Sequence, residues 1–587
     1  MPLNLLSNVT GCALAQWVHV RKMPPRKSVH PNPEHRRPPG TTKMVIVAMQ
    51  MPSTSSCGLQ APTLHLSLHG VLRTGSFPGT VLRQYTHLLE SSQMIPVIDV
   101  FAGPGGLNEG FSSVHDGAGN TVFRTVASIE MEKSAVATLR LRSAIRSTKL
   151  ESDGALSAVD AFAEKQIGLA ELMNDPTFAR NYVAATSEVH AFELSPSTRE
   201  TSDSMIRTAL GPYPEQPWVL IGGPPCQAYS LAGRSRRVHD ASFEDDHKHF
   251  LYREYLHIIR QHRPTVFVME NVKGLLSSLN RGERIFDLIR DDLEQPADDL
   301  EYDLYSMVSD NTDLDAEDFI IKAERYGVPQ RRHRLIIVGV LRGSGLKRPR
   351  ILDRSDQQVS VSQALVGLPE LRSSVSRAND PEGVLWREIW QTMSQIARSS
   401  GHELLGKPNL TVESAVPSAK PSNFVNGAQA TYFDFIKARS TDSSPTWNHH
   451  SRGHRGDDLV RYGLLSALAA KTSANPKVRD LDKQFWPNHK NITDEVVPFQ
   501  DRFRVQLAGT PATTIVSHIA KDGHYYIHPD PSQMRSFTVR EAARLQSFPD
   551  NYIFLGNRTQ QFTQVGNAVP PLLARNIGKR IAEILTE

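Results

Sequence analysis

Cysteine is scarce in this chain. Only Cys12, Cys57 and Cys226 occur in 587 residues. So few argue against a disulfide framework and fit a reducing compartment. The first two lie in a stretch of weak folding character. Cys226 is therefore the one thiol expected in the globular part, with no metal-ligand spacing around it. Long apolar runs are missing as well. None approaches the roughly 18 residues of a membrane span, which excludes a helical membrane class. No basic start leads into an unbroken apolar stretch, so no secretory signal is read. A strong charge of either sign is also lacking: the formal net charge is +4. That permits a polyanionic partner without indicating one. No internal repeat is evident.

What is present divides the chain unevenly. A single core rarely outgrows about 250–300 residues, so two or three domains are expected. Residues 1–93 include "VRKMPPRKSVHPNPEHRRPPGTTK", with Glu34 its only acid. This reads as a disordered basic arm, or as an upstream extension without a role, translation beginning at Met94. Order begins at "MIPVIDVFAGPGGLNEGF", a strand, a glycine turn and a helical pattern. "TVASIEMEKSAVATLRL", "PWVLIGGPPC" and "RPTVFVMENVKGLL" continue the alternation of buried-type strands and helices, and "RLIIVGVLR" adds a further strand. Continuous apolar strands between helices imply a parallel sheet covered on both faces. Residues 344–500 are polar and loop-rich and read as a separate irregular module. In "TVREAARLQSFPD", Thr538 and Glu541 have capping-box spacing, and Pro549 is expected to stop the helix. The last helix is amphipathic, with Leu572, Ile577, Ile581 and Ile584 as candidate buried positions.

Several strand ends carry chemistry. Gly103, Gly105 and Gly106 follow the first strand, where glycine lets a ligand approach the backbone. Glu130 follows the second, where an acid commonly holds ribose hydroxyls. Together they suggest an adenosine-containing cofactor; the plainer alternative is a tight turn and a solvated glutamate. Cys226 stands just past a strand, where open α/β sheets bind ligands, and Pro224 and Pro225 restrict its backbone. A lone cysteine is otherwise a small buried hydrophobe. "FVMENV" brings Glu270 and Asn271 to the same edge, where a carboxyl suits proton donation or caps the next helix. "QRRHR" precedes strand 335–341. If that strand is antiparallel, Arg332 and Arg334 reach this edge too and suit a phosphate or carboxylate; otherwise they are a solvated loop. A thiolate plus an acid suits attack on an electron-poor ring whose neighbouring nitrogen takes a proton.

These residues resemble the DNA (cytosine-5)-methyltransferases. "DVFAGPGGLNEGF" looks like that family's first cofactor motif, "GGPPCQAYS" its nucleophile motif, "MENV" its acid motif, "QRRHR" its arginine motif and "QVGNAVPP" its last motif, in the family's order. The resemblance covers roughly 95–343 and 500–587. It implies a doubly wound, mostly parallel α/β sheet of the Rossmann-like class I methyltransferase type, with a smaller irregular target-recognition domain. The expected organisation is an N-terminal extension over 1–93, a catalytic and cofactor-binding domain over 94–343, target recognition over 344–500, and a return segment over 501–587. The resemblance further implies that Cys226 attacks carbon 6 of cytosine, and that Glu270 protonates nitrogen 3. Arg332 and Arg334 would position the base, the catalytic loop or DNA phosphate. S-adenosyl-L-methionine would be held by Phe101, Gly103, Gly105, Glu130, Pro225 and Asn567. Double-stranded DNA is the implied partner, with the target base extruded. The loop "AYSLAGRSRR" would close over it.

One expected feature is not plain. The family has an acid after its third strand that accepts from the adenine amino group. Residues 150–216 are longer than that pattern, and Glu193 in "VHAFELSPST" is the best candidate. The extra length is read as contacting DNA or a second subunit. The leading reading is the modification enzyme of a bacterial restriction–modification system, cytoplasmic and nucleoid-associated, acting as a monomer on DNA. A solitary regulatory methyltransferase fits the same motifs. A non-catalytic DNA-binding protein would have lost the cysteine or the acid. A nucleotide-binding oxidoreductase leaves Cys226, Glu270 and Asn567 without a common purpose, and an RNA-directed enzyme is usually more compact. His449, His450 and His454 in "WNHHSRGHR" read as solvent-facing. As metal ligands they lack a matching cysteine or acid.

Overall fold

The computed structural model describes residues 94–151, 158–225, 251–277, 279–280, 283–401, 409–413, 427–437, 446–487 and 502–586. All belong to the unit Phe77–Glu587. Cys226 and the loop "AYSLAGRSRR" lie outside the described residues.

The chain enters through β1 (Ile95–Val100), α1 (Gly106–Phe111), β2 (Phe123–Glu130) and α2 (Lys133–Glu151). Then come α3 (Ala158–Ala163), α4 (Pro176–Glu188), β3 (Val189–Ala191), α5 (Arg199–Leu210) and β4 (Val219–Gly222). After these stand α6 (Leu251–His262), β5 (Val266–Val272), α7 (Ile285–Glu294), β6 (Tyr302–Tyr305), β7 (Ile320–Lys322) and β8 (His333–Leu341). They build one sheet in the order β3-β2-β1-β4-β5-β8-β6, with β7 also pairing with β8. β1 to β5 are mutually parallel, and β8 runs antiparallel to β5, β6 and β7. The order reverses at β1, whose neighbours are β2 and β4. Ligands bind at such a switch point, beyond the carboxyl ends of the strands.

Alternation along β1 sends Ile95 and Val97 to one core and Ile98 and Val100 to the other. The second core is covered by Ile206 of α5, Tyr255 and Ile259 of α6, and Phe286 and Ile289 of α7. Apolar residues on both faces explain why these strands read as near-continuous hydrophobic runs.

The rest of the chain adds α8 (Val384–Ser399), α9 (Gly427–Lys437), α10 (Gly456–Thr472), α11 (Val539–Leu545), α12 (Arg558–Asn567) and α13 (Pro571–Thr586). Leu572, Ile577, Ile581 and Ile584 of α13 are all buried in the first core, as their spacing predicts. The Thr538–Glu541 capping box opens α11: Glu541 N donates to Thr538 Oγ1 at 3.2 Å and Thr538 N to Glu541 Oε2 at 2.7 Å. Pro549 is not what stops this helix. α11 ends at Leu545 because Ser547 turns left-handed (φ 63) and Phe548 N closes back on Ala543 O at 2.8 Å.

The central stretch is less separate than its texture predicts. Leu352, Val359, Val361 and the α9 residues Tyr432, Phe433 and Ile436 pack into the sheet-side core. α8 and α10 form a further core around Trp386, Met393, Leu459 and Leu464. Phe503, Val505 and Ile527 pack on Tyr462 and Leu465 of α10, so a boundary at 500 divides one packed cluster.

Candidate active site

The first end of the site is built by the turn after β1. Phe101 has φ 54, Gly103 φ 56 and Gly105 φ 86, so the backbone is left-handed at three places within five residues. Gly103 N donates to Glu130 Oε2 and Glu132 N to Glu130 Oε1, each at 2.8 Å. These two bonds fix the Glu130 carboxyl at the end of β2. Burial raises its pKa, while the amide donors work against that shift. At Gly103 no atom lies within 4 Å of where a Cβ would stand. Glu193 is exposed two residues past β3, and Phe192 N donates to Glu130 O at 2.9 Å. Phe101, Gly103, Glu130 and Glu193 thus gather at neighbouring strand ends.

Gly105 does different work from the role implied for it. A Cβ there would stand 2.6 Å from Leu139 Cδ2 and 3.2 Å from Tyr552 Oη, and its N–H closes a turn onto Ala102 O at 2.9 Å. It is a packing glycine, filled over by α2 and by the return segment. Gly106 is tighter still, since its Cβ would meet Val569 O at 2.1 Å. α1 therefore lies directly on the turn that follows Asn567, which is exposed at the last position of α12. Tyr552 Oη also donates to Pro104 O, tying the return segment to the same turn.

Asp99 was not singled out by sequence reasoning. It is fully buried, and neither carboxyl oxygen has a hydrogen-bond partner. Burial, then the nearby Glu130 charge, raises its pKa well above the usual carboxylate range. The available signal was an acid inside an otherwise apolar strand.

The second end of the site lies across β4, β5 and β8. Because β8 is antiparallel to β5, Glu270 pairs with Ile336 and Val272 with Arg334, and both side chains reach one edge. Arg334 Nε lies 3.0 Å from Glu270 Oε1 as an ion pair. Its angle falls outside that of a directed hydrogen bond. The other carboxyl oxygen, Oε2, would stand 3.0 Å from a Cβ at Gly223. Asn271 Nδ2 donates to Pro224 O at 3.3 Å. Glu270 and Asn271 therefore clasp Gly223 and Pro224, immediately ahead of the exposed Pro225 and of Cys226. The glycine before has a separate duty. A Cβ at Gly222 would meet Val100 O at 2.7 Å and Tyr255 Cε2 at 2.9 Å.

Arg332 does not face DNA phosphate. It is 2% exposed, and its Nη1 donates to Ile515 O at 3.0 Å and Gly566 O at 3.3 Å. Burial, then the charge of Arg334, pushes its guanidinium down to about 9, against the pull of Glu270. It fastens the return segment beside the edge that carries Glu270. Gln330, also missed, does the same: Oε1 accepts from Ile515 N at 2.7 Å, and Nε2 donates to Leu545 O at 3.1 Å.

Two histidines expected to face solvent are buried. His449 bonds Thr538 Oγ1 at 2.9 Å and Pro369 O at 2.8 Å, and His454 Nε2 bonds Ser536 Oγ at 3.0 Å. Burial lowers the pKa of both, His449 to about 4.

Residues 165–583 match the family model for C-5 cytosine-specific DNA methylases. The chain is 30% identical to the type II methyltransferase M.Bpa9945I of Bacillus paralicheniformis, over 83% of its own length and 99% of the relative's. It is 28% identical to the type II methyltransferase M.AgeI of Thalassovita gelatinovora, over 65% and 87% of the two chains. It is 25% identical to the DNA (cytosine-5-)-methyltransferase M.ApeKI of Aeropyrum pernix, over 62% and 81%. With a match across well over half its length, the chain belongs to the C-5 cytosine-specific DNA methylase family.

Proposed function

We propose that this C-5 DNA methyltransferase modifies double-stranded DNA through a covalent adduct between Cys226 and an extruded cytosine, as the modification half of a restriction–modification system. The observation that carries this reading is the Glu270 carboxyl, held between Arg334 and Gly223 three residues ahead of Cys226.

S-adenosylmethionine, when bound, supplies an electrophilic methyl group. The residues present fit such a cofactor. Gly103 is open on its side-chain face, Glu130 is fixed by two backbone amides, and Asp99 nearby has two unpartnered oxygens. Phe101, Gly103, Glu130, Glu193, Pro225 and Asn567 would hold it, with Glu130 taking the ribose hydroxyls and Glu193 the adenine amino group.

The Cys226 thiolate adds to carbon 6 of the cytosine while Glu270, which takes up a proton from water as the base enters, passes it to nitrogen 3, so charge does not build up on the ring. Carbon 5 becomes nucleophilic as a result. After carbon 5 is methylated, water or hydroxide removes its proton and the carbon–sulfur bond breaks. The thiolate departs, and nitrogen 3 returns its proton to Glu270. Arg334 keeps the Glu270 carboxyl at its station throughout. Target recognition is assigned to α8 and α10 together with Phe503, Val505 and Ile527, which pack on α10.

Expression in a methylation-free host, followed by mapping of 5-methylcytosine, tests the reaction. One short recurring DNA sequence carrying the mark is expected. DNA free of 5-methylcytosine overturns the proposal. An endonuclease gene beside this one separates the restriction–modification role from that of a solitary regulatory enzyme. The relatives named above are prokaryotic, and a cytoplasmic location on the nucleoid is part of the same proposal.

A further inference from the structure

The extra length over residues 150–216 is expected from the sequence to contact DNA or a second subunit. In the structure, part of it meets the central module. α3 ends where Lys165 turns left-handed (φ 57), with Lys165 N bonded to Phe162 O and Gln166 N to Ala161 O, each at 2.9 Å. This closure leaves the Ala163 carbonyl outward, and the Trp447 indole Nε1 donates to it at 2.8 Å. The Phe162 and Trp447 rings lie 5.0 Å apart, and the Lys165 ammonium stands 5.4 Å from the indole centroid. The same ammonium reaches Thr446 O at 3.4 Å and Glu413 at 3.7 Å.

Trp447 is itself rigidly mounted. Its carbonyl accepts from Arg540 Nε at 2.9 Å. The next residue, Asn448 (φ 57), exchanges two 3.0 Å bonds with the backbone of Phe554. His449 then ties to Pro369 and Thr538, and Ser451 Oγ to Arg372 O at 2.6 Å. One short stretch thus grips the insertion, the return segment and the entry to α8. Meanwhile α8 and α10 have their own core around Trp386, and the insertion packs Phe162 and Phe178 against Leu141 of α2 and Ile553 of the return segment. Trp447 sits only partly buried against the second of these.

We infer that Trp447 is a positioning residue: it hooks the target-recognition module to the β2–β3 insertion and so sets the module's distance from the Glu270 edge. This rests on the reading that the module built on α8 and α10 recognises DNA. An aromatic pair, an indole hydrogen bond and a cation over the ring fix orientation more firmly than apolar packing alone. Their loss leaves both cores intact but lets the module shift, and small misplacements far from the chemistry are costly in rate.

The test compares full-length wild type, Trp447→Ala, Trp447→Phe and Lys165→Asn. Asparagine tolerates the left-handed backbone at 165 while removing the cation. For Trp447→Ala, the KM for cognate DNA is expected to rise about tenfold, with marks at near-cognate sites and with cofactor affinity unchanged. Trp447→Phe restores part of this through the ring, and Lys165→Asn shows a smaller rise of about twofold to threefold. A Trp447→Ala protein with lower thermal stability but an unaltered KM and site list overturns the inference. So does an unaltered KM in Lys165→Asn should the alanine variant fail to fold. Wild type that methylates no DNA overturns the functional reading instead.

Discussion

Glu270 and Arg334 face each other across antiparallel strands, with Arg334 Nε 3.0 Å from Glu270 Oε1 and each side chain about one-eighth exposed. The pair stands at the edge where β4 delivers Gly223, and it orients a carboxyl towards the chain leading into Cys226. In the proposed mechanism, a carboxyl held this way would act on the target base without a search through rotamers.

Replacing Glu270 with Gln removes the proton while keeping shape. The rate of methyl transfer is expected to fall by at least about a hundredfold, with cofactor affinity little changed. Single-turnover transfer and cofactor titration check both halves; an unchanged rate would remove the acid from the mechanism.

Arg334→Ala leaves Glu270 without its cation and its stop. A loss of about ten- to a hundredfold in kcat is expected, larger than any change in cofactor binding. Equal losses in both would reassign Arg334 to general packing.

The adjacent glycines separate stability from chemistry. Gly222→Ala forces a Cβ to 2.7 Å from Val100 O in the sheet, and overpacking of about 1–3 kcal/mol is expected as a lowered thermal midpoint. Gly223→Ala meets only the end of the Glu270 side chain at 3.0 Å, so folding should hold while the rate falls. Thermal melts beside rate measurements distinguish the two.

Stability should decline in mild acid. His449 and His528 are pushed down to about 4 by burial, from an ordinary value of 6.5. Their folded pKa is the lower one, so their contribution is complete above 6.5 and is lost as pH falls towards 4. Burial opposes the ionised Glu541, but Arg535 overrides it and holds the carboxyl below the usual carboxylate range, so its contribution persists to lower pH. A melting temperature that drops between pH 6.5 and 4, with a shallower slope in His449→Gln, is the expected outcome. A flat profile contradicts it.

The sheet and its chemical edge were legible because β1, β4, β5 and β8 are near-continuous apolar runs, and Glu130, Glu270 and Arg334 stand where such runs begin or end. What long-range packing decides was not legible. Gly103 and Gly105 look alike in sequence, but only distant Leu139 and Tyr552 make one of them a packing glycine. Arg332 reads as part of a charge run until Ile515 and Gly566 supply carbonyls from far down the chain. His449 and His454 looked polar because their partners, Thr538 and Ser536, come from the return segment. Asp99 was hidden by its apolar neighbours, which are also what bury it.

Methyl transfer by Cys226→Ser, measured beside its DNA affinity, bears most directly on the covalent step. Loss of transfer by more than about a thousandfold, with duplex binding largely kept, is the expected result. A serine variant that methylates at close to the wild-type rate would show that the sulfur of Cys226 is not the nucleophile.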